Sequence, residues 1–371
     1  MEIDIISRQI VRPFSPTARV HCLLSNFLEH PKTEFLNHFF PCCPYRKEPK
    51  PKEVTQLAVQ FNIFDCGGIA IGVCMSHKII DALTMSAFLK SWAATAGGPC
   101  NKLVHPNFSE ASSKSHFPPQ DVLPHIFTPL IERLWFNEGK YKTRRFVFDP
   151  KAIATLKVKA KSEQVESPTR TESLSSFICK YARAASRLTS GCPRLSILAQ
   201  AVNIRQKTTP RLSYYSIGNH FWWALAAYDY NSAESTEIKL RGLVATQREA
   251  VAKINSDVRI LQGHEGFTAT IKYLNQTAAM VVFSRESPEF FAFTSWLTFG
   301  YDEIDYGWVK PVWIGVMGEV GSGRKLTMLQ KTIRGNGIEA WVTLDEKVMD
   351  ILEHDPEFLA FATLNPSVLF Q

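Results

Sequence analysis

Residues 55–99 constrain this chain more than any other stretch. Residues 55–64, TQLAVQFNIF, alternate apolar and polar with period two, the pattern of a half-buried strand. Asp65-Cys66-Gly67-Gly68 is a tight-turn sequence, and residues 69–75, IAIGVCM, form a second strand. The two make a hairpin whose exit is Ser76-His77. Residues 82–96 then read as a helix, with Leu83, Ser86, Ala87, Lys90 and Ala94 along one side. Gly97-Gly98-Pro99 stops it.

The rest of the chain is organised around this unit. Residues 3–11 alternate loosely as a strand, and residues 30–52 are polar and proline-rich. Residues 101–143 carry prolines at 106, 118, 119, 124 and 129 with little periodicity, which marks a long connector between domains. Residues 1–100, 101–143 and 144–371 are therefore expected as first lobe, connector and second lobe. In the second lobe a strand is expected at 144–148 and a helix around Leu156. A helix over 171–187 is capped by Thr171 or Ser173, a strand spans 195–204, and a long helical pattern covers 236–263. Residues 293–341 read as strand-rich, Gly321-Ser322-Gly323 as a hairpin turn, and 345–354 as a short terminal helix. The class is mixed α/β in two lobes.

Several function classes fall away on composition. The net charge of +7 is dispersed, and its densest cluster, residues 46–52, is short and interrupted by proline. Nucleic acid would want a basic face with stacking aromatics, so no nucleic-acid partner is expected. The 8 cysteines lack CxxC spacing, which gives a metal site no support. The longest apolar run, residues 221–228, is far short of a membrane span. A reduced, cytoplasmic, monomeric protein without membrane attachment is expected.

Two constellations could carry chemistry. His77 and Asp81 form an HxxxD at the hairpin exit. With 10 histidines and 12 aspartates in 371 residues, about 0.3 such pairs arise by chance, so spacing alone says little. Position says more: an imidazole there can face a cleft and take a proton from an alcohol. A hydrogen-bonded histidine of no chemical role is the competing reading, and Asp81 could be only the helix N-cap. The second constellation, Asp305-Tyr306-Gly307-Trp308, could equally be a β-turn with aromatic flanks. Upstream, Thr294 and Trp296 offer a hydroxyl and an indole N–H to a developing oxyanion, although a buried Trp more often serves packing. Cys74, on a strand of small apolar residues, reads as an inert thiol.

In this order the motifs resemble the plant BAHD acyltransferases, marked by HxxxD and by a later DFGWG. Here they stand as His77-Lys78-Ile79-Ile80-Asp81 and Asp305-Tyr306-Gly307-Trp308-Val309. RPFSPT at 12–17, residues 64–93, RRFVFD at 144–149, QAVNIR at 200–205, SIGN at 216–219 and FTSW at 293–296 extend the likeness, nearest to the alkaloid-acetylating branch. The resemblance implies two chloramphenicol-acetyltransferase-like lobes joined by a crossover loop, with a channel between them. It implies acyl-CoA, acetyl-CoA above all, as co-substrate, a small-molecule alcohol as acceptor, and no bound cofactor. His77 would be the general base, with no acyl-enzyme. Asp81 would hold its loop through an arginine, for which Arg205 is the candidate. Thr294 and Trp296 would lie near the tetrahedral intermediate. Asp305, Gly307 and Trp308 would support the CoA half of the channel structurally.

This chain departs from that pattern in three places. Ala82 replaces a glycine after HxxxD, and Val309 replaces the last glycine of DFGWG, where a positive φ would be hard to adopt. HFFP at 38–41 resembles the start of a family turn, but residues 42–52 replace the rest of it, so strands of the first lobe are expected to be missing near 34–54. Such a loss exposes edges and apolar surface. A truncated, inactive or unstable paralogue that at most binds a ligand or partner is the competing expectation.

Overall fold

The hairpin forms over β3 (Leu57–Phe64) and β4 (Ile69–Met75), in antiparallel register from Leu57 opposite Met75 to Ile63 opposite Ile69. This is a computed structural model. It describes residues 3–7, 17–42, 56–97, 105–110, 116–118, 139–192, 194–228, 239–282, 288–318 and 325–369. Most of the expected connector, the 46–52 cluster and Gly321-Ser322-Gly323 lie outside these. β1 (Ile3–Ser7) pairs antiparallel with β2 (Thr17–Val20), and β2 pairs parallel with β3, giving a four-stranded sheet in the order β1-β2-β3-β4. Among the described residues β4 is therefore an edge, and it leads to α2 (Ala82–Gly97). Between β2 and β3 lie the short α1 (Leu24–Glu29) and a 3₁₀ turn at Thr33–Phe39. Ile63 and Ile69, at the turn end of the hairpin, are exposed.

The second sheet has seven strands. β5 (Tyr141–Phe148), β6 (Ser196–Asn203), β7 (Phe221–Tyr228), β8 (Glu289–Ser295), β9 (Leu326–Lys331), β10 (Ile338–Asp345) and β11 (Thr363–Leu364) lie in the order β11-β5-β10-β9-β8-β6-β7. β6, β8 and β9 run parallel and the other pairings are antiparallel. The fold class is thus mixed α/β with two sheets.

Several elements differ from the sequence reading. β5 starts at Tyr141, inside the stretch assigned to the connector, because its pairing with β10 runs down to Asp345. Of the helices on this sheet, α3 (Pro150–Ala160) is capped by Asp149. α4 (Arg170–Ser190) begins before the expected start, capped by Thr169 rather than Thr171 or Ser173. Thr169 and Glu172 form a reciprocal capping box, the S/T-x-x-E signature one turn upstream. α5 (Leu240–Ile260) occupies the long helical pattern. α6 (Gly266–Val282) has no counterpart in the sequence reading, since its Thr, Ile, Tyr and Val residues are poor helix formers. Tertiary contacts hold it: Tyr273 Oη donates to the Trp223 carbonyl at 2.6 Å. The stretch 293–341 is strand only at β8, β9 and β10, and residues 296–318 are irregular apart from a 3₁₀ turn at Tyr301–Glu303. α7 (Glu346–Leu352) and α8 (Pro356–Leu359) end the helical content.

The second lobe has a core of its own. Phe146, Phe148, Leu156, Leu174, Ile178, Leu198, Phe293, Leu329, Val342 and Phe358 pack as one buried cluster between the seven-stranded sheet and its helices. First-lobe residues bury differently. Val20, Phe27, Leu28, Leu36, Phe39 and Phe64 share a cluster with Val316, Met328, Trp341 and Val368. Ala93 of α2 packs with Tyr301 and Ile304. The chain's last described residues close this junction. Asn365 takes φ 43°, the Arg145 guanidinium reaches Asn365 and the Pro366 carbonyl, and Val368 N–H donates to the Leu28 carbonyl at 2.8 Å.

Candidate active site

His77 follows β4 in the turn that precedes α2, and its side chain is exposed. Two bonds to Asn219 hold it. Asn219 Nδ2 donates to the His77 carbonyl at 2.7 Å, and Asn219 Oδ1 lies 3.0 Å from His77 Nδ1. An amide whose NH₂ group faces a carbonyl presents its oxygen to the ring, so Nδ1 carries the hydrogen. The tautomer assigned in this way leaves the lone pair on Nε2. Phe221 packs against the ring, with centroids 5.9 Å apart.

Asp81 makes the contacts of both expected readings. Its Oδ1 accepts the Thr84 N–H at 2.8 Å, a helix-capping bond. Its two oxygens also accept from Arg205, Nη1 to Oδ2 at 2.7 Å and Nη2 to Oδ1 at 3.0 Å, a bidentate pair. The His220 N–H adds a bond to Oδ2 at 3.0 Å. Burial alone would raise the Asp81 pKa, but Arg205 and the two N–H donors outweigh it and hold the carboxyl below its ordinary value. Arg205 is fully buried and also donates to the carbonyls of Ser216 and Gly218 and to the Thr84 hydroxyl. Residues 216–219 thus form one loop whose carbonyls secure Arg205 while its last side chain orients His77. Burial, with Arg205 close by, lowers the His220 pKa and keeps that ring neutral.

Thr294, Trp296 and the Asp305–Trp308 turn lie on β8 and in the irregular segment that follows it. Thr294, half-buried on β8, stands opposite Met328 of β9. Trp296 stacks on Tyr301 at 5.0 Å, and Tyr301 Oη donates to the Ala82 carbonyl at 2.6 Å, beside Asp81. The Trp296 Nε1 is buried and has no hydrogen-bond partner among the described residues. The Asp305–Trp308 turn lies at the opposite end of α2, about 24 Å along the helix at 1.5 Å per residue. There Tyr306 meets Trp92 edge-on and stacks on Trp308. Asp305 Oδ1 accepts the Gly307 N–H at 2.8 Å. Gly307 carries the turn's positive φ, +85°, and a Cβ on it would meet the Gly97 Cα at 2.9 Å. Val309 needs no such conformation, because among the described residues only Asn365 is a non-glycine with positive φ. Its side chain is 72% exposed.

Asn219, Thr84 and Tyr301 are not singled out by the sequence. Asn219 stands within the SIGN phrase, so a signal exists for it. Nothing local points to the other two. Among the described residues no cluster of three or more His, Cys, Asp or Glu could hold a metal ion. Among them, too, no helix is long and apolar enough to cross a membrane.

Comparison with known proteins places this geometry in context. The model of the Transferase family matches residues 15–359. Akuammiline synthase 2 of Alstonia scholaris is 34% identical over 95% of this chain and 77% of its own length. A limonoid 7-O-acetyltransferase of Citrus sinensis is 39% identical over 92% of this chain and 76% of its own. The crystal structure of vinorine synthase superposes with a TM-score of 0.74 at 27% identity, covering 96% of this chain and 78% of that one.

Proposed function

Because the chain belongs to the BAHD family of transferases and is an acyltransferase, we propose that it transfers an acyl group from acyl-CoA, acetyl-CoA above all, to a hydroxyl of a plant specialised metabolite such as an alkaloid. The observation that carries this reading is the His77–Asn219 pair, which leaves Nε2 as the proton acceptor at an exposed position. The acceptor hydroxyl gives its proton to Nε2 while its oxygen attacks the thioester carbonyl. The tetrahedral oxyanion collapses, expels the CoA thiolate, and the imidazolium returns the proton to sulfur, so no acyl-enzyme forms. Trp296 Nε1, a buried donor without a partner, and the Thr294 hydroxyl supply hydrogen bonds to the oxyanion. Asp81 and Arg205 are positioning residues that hold the His77 loop against residues 216–219. Asp305, Gly307 and Trp308 support the CoA half of the channel. In this reading residues 1–100 are the first lobe, the crossover loop follows from residue 101 and the second lobe begins with β5 at Tyr141, in a monomeric cytoplasmic enzyme.

The test is purified protein incubated with several acyl-CoAs while free thiol is monitored, since slow CoA release requires no guess about the acceptor. His77→Ala should lower kcat at least about 100-fold and leave the acyl-CoA KM unchanged. Asn219→Ala should fall between wild type and His77→Ala. If His77→Ala keeps more than about a tenth of kcat, the general-base role is wrong. A folded protein that releases no thiol with any acyl-CoA would instead be an inactive, ligand-binding relative.

A further inference from the structure

Cys42 and Cys74 take no part in the chemistry above, and the fold brings them together. Beyond the 3₁₀ turn at Thr33–Phe39, residues 38–42 cross one face of the β3–β4 hairpin. Gln60 Nε2 donates to the His38 carbonyl at 2.9 Å, and Asn62 Nδ2 donates to the Phe39 carbonyl at 2.9 Å. The crossing point on β4 is Gly72, where a Cβ would sit 1.9 Å from the Phe39 carbonyl oxygen. Any other residue would push the segment off the sheet. Two positions further along the same face comes Cys74, whose sulfur lies 3.9 Å from the Cys42 carbonyl oxygen.

The thiols themselves are also in contact. A hydrogen bond between the two thiols outweighs burial and draws the Cys42 thiol down to about 7. Cys42 is exposed and Cys74 half-buried. A solvent-accessible thiolate beside a second thiol is the arrangement of a peroxide-responsive pair.

We propose that Cys42 and Cys74 are a thiol-oxidation site, closing to a disulfide under a hydroperoxide and bracing residues 38–42 against the strand that leads to His77. The Cys42 thiolate attacks the outer peroxide oxygen. The O–O bond breaks, the alkoxide leaves and takes a proton, and Cys42 becomes a sulfenic acid. The Cys74 sulfur then attacks the sulfenic sulfur and displaces water. Two thiols and one hydroperoxide give one disulfide, one alcohol and one water, with two electrons passing from sulfur to peroxide.

The full chain treated with hydrogen peroxide, then digested without reduction, tests this by mass spectrometry. The peptides bearing residues 42 and 74 should be joined, and Tm should rise by about 5 °C and return with dithiothreitol. The tryptic partners also contain Cys43 and Cys66, so Cys43→Ser and Cys66→Ser should keep the link while Cys42→Ser and Cys74→Ser lose it. A link that survives Cys42→Ser, or disappears in Cys43→Ser, overturns the assignment. So does a Cys42 that proceeds to sulfinic acid without joining Cys74. A crosslinked protein whose Tm does not rise overturns the brace.

Discussion

The seven-stranded sheet and the four-stranded sheet are stabilised by different means. The larger one buries its aromatic and aliphatic residues against α3, α4 and α5, and the cluster between them draws on no residue before Phe146. Among the described residues the smaller one has nothing equivalent. Its Val20 and Phe64 bury only together with Met328 and Trp341, strand residues of the other sheet. Its helix α2 buries Ala93 against Tyr301 and Ile304. The first-lobe residues of that cluster complete their burial only against the second lobe, which acts as their template.

Separating the lobes is the most direct way to break that comparison. Residues 139–371 expressed alone should unfold in one cooperative transition by circular dichroism. Residues 1–97 alone should show none and should bind a hydrophobic dye. A cooperative transition in the shorter piece would mean that the first lobe folds unaided.

A smaller effect comes from the buried ion pair that crosses between the lobes. Asp81→Asn strands the Arg205 charge, and breaking such a pair typically costs about 3–5 kcal/mol. Tm and thiol-release activity should fall together. Arg205→Ala should do likewise, with the double variant less damaged than the sum of the singles. The pH dependence has a definite sign. The Asp81 pKa is lower in the folded protein than in the unfolded chain, so its contribution is present above about pH 4, the ordinary Asp value. It is lost as pH falls through the folded value. Melting curves in acid should therefore converge for wild type and Asp81→Asn. A constant gap between them would remove the linkage.

The smallest effect should be at the far end of α2. Since Gly307 already carries the positive φ, Val309→Gly relieves no strain and should shift Tm by less than about 1 °C. A clear gain in stability would show that the valine distorts the turn after all.

How much of the molecule is legible in its residues depends on how local each determinant is. The β3–β4 hairpin is legible because its period-two pattern and Gly67-Gly68 turn lie within twenty-odd residues of one another. The Thr169 cap is legible in principle as a capping box, but Thr171 and Ser173 compete with it within one turn of helix. α6 is not, because its residues favour strands and only packing such as Trp222 on Tyr273 makes it helical. The candidate site divides in the same way. His77 and Asp81 share a recognisable spacing, whereas Asn219 acts across 142 positions of sequence. No periodicity reports a hydrogen bond of that range.

The C-terminal tail has a consequence for the birth of the molecule. Leu28 and Pro31 are synthesised well before the residues that meet their carbonyls, Val368 and Asn365, the latter 334 positions after Pro31. At ordinary elongation rates, tens of seconds separate the two events. During that interval Phe27, Leu28 and Phe39 lack the Val316, Met328, Trp341 and Val368 part of their cluster and remain available to aggregation or to a chaperone. The N-terminal lobe is made before the residues that complete it, so its yield in a cell should depend on the pace of the ribosome as well as on the stability of the finished fold.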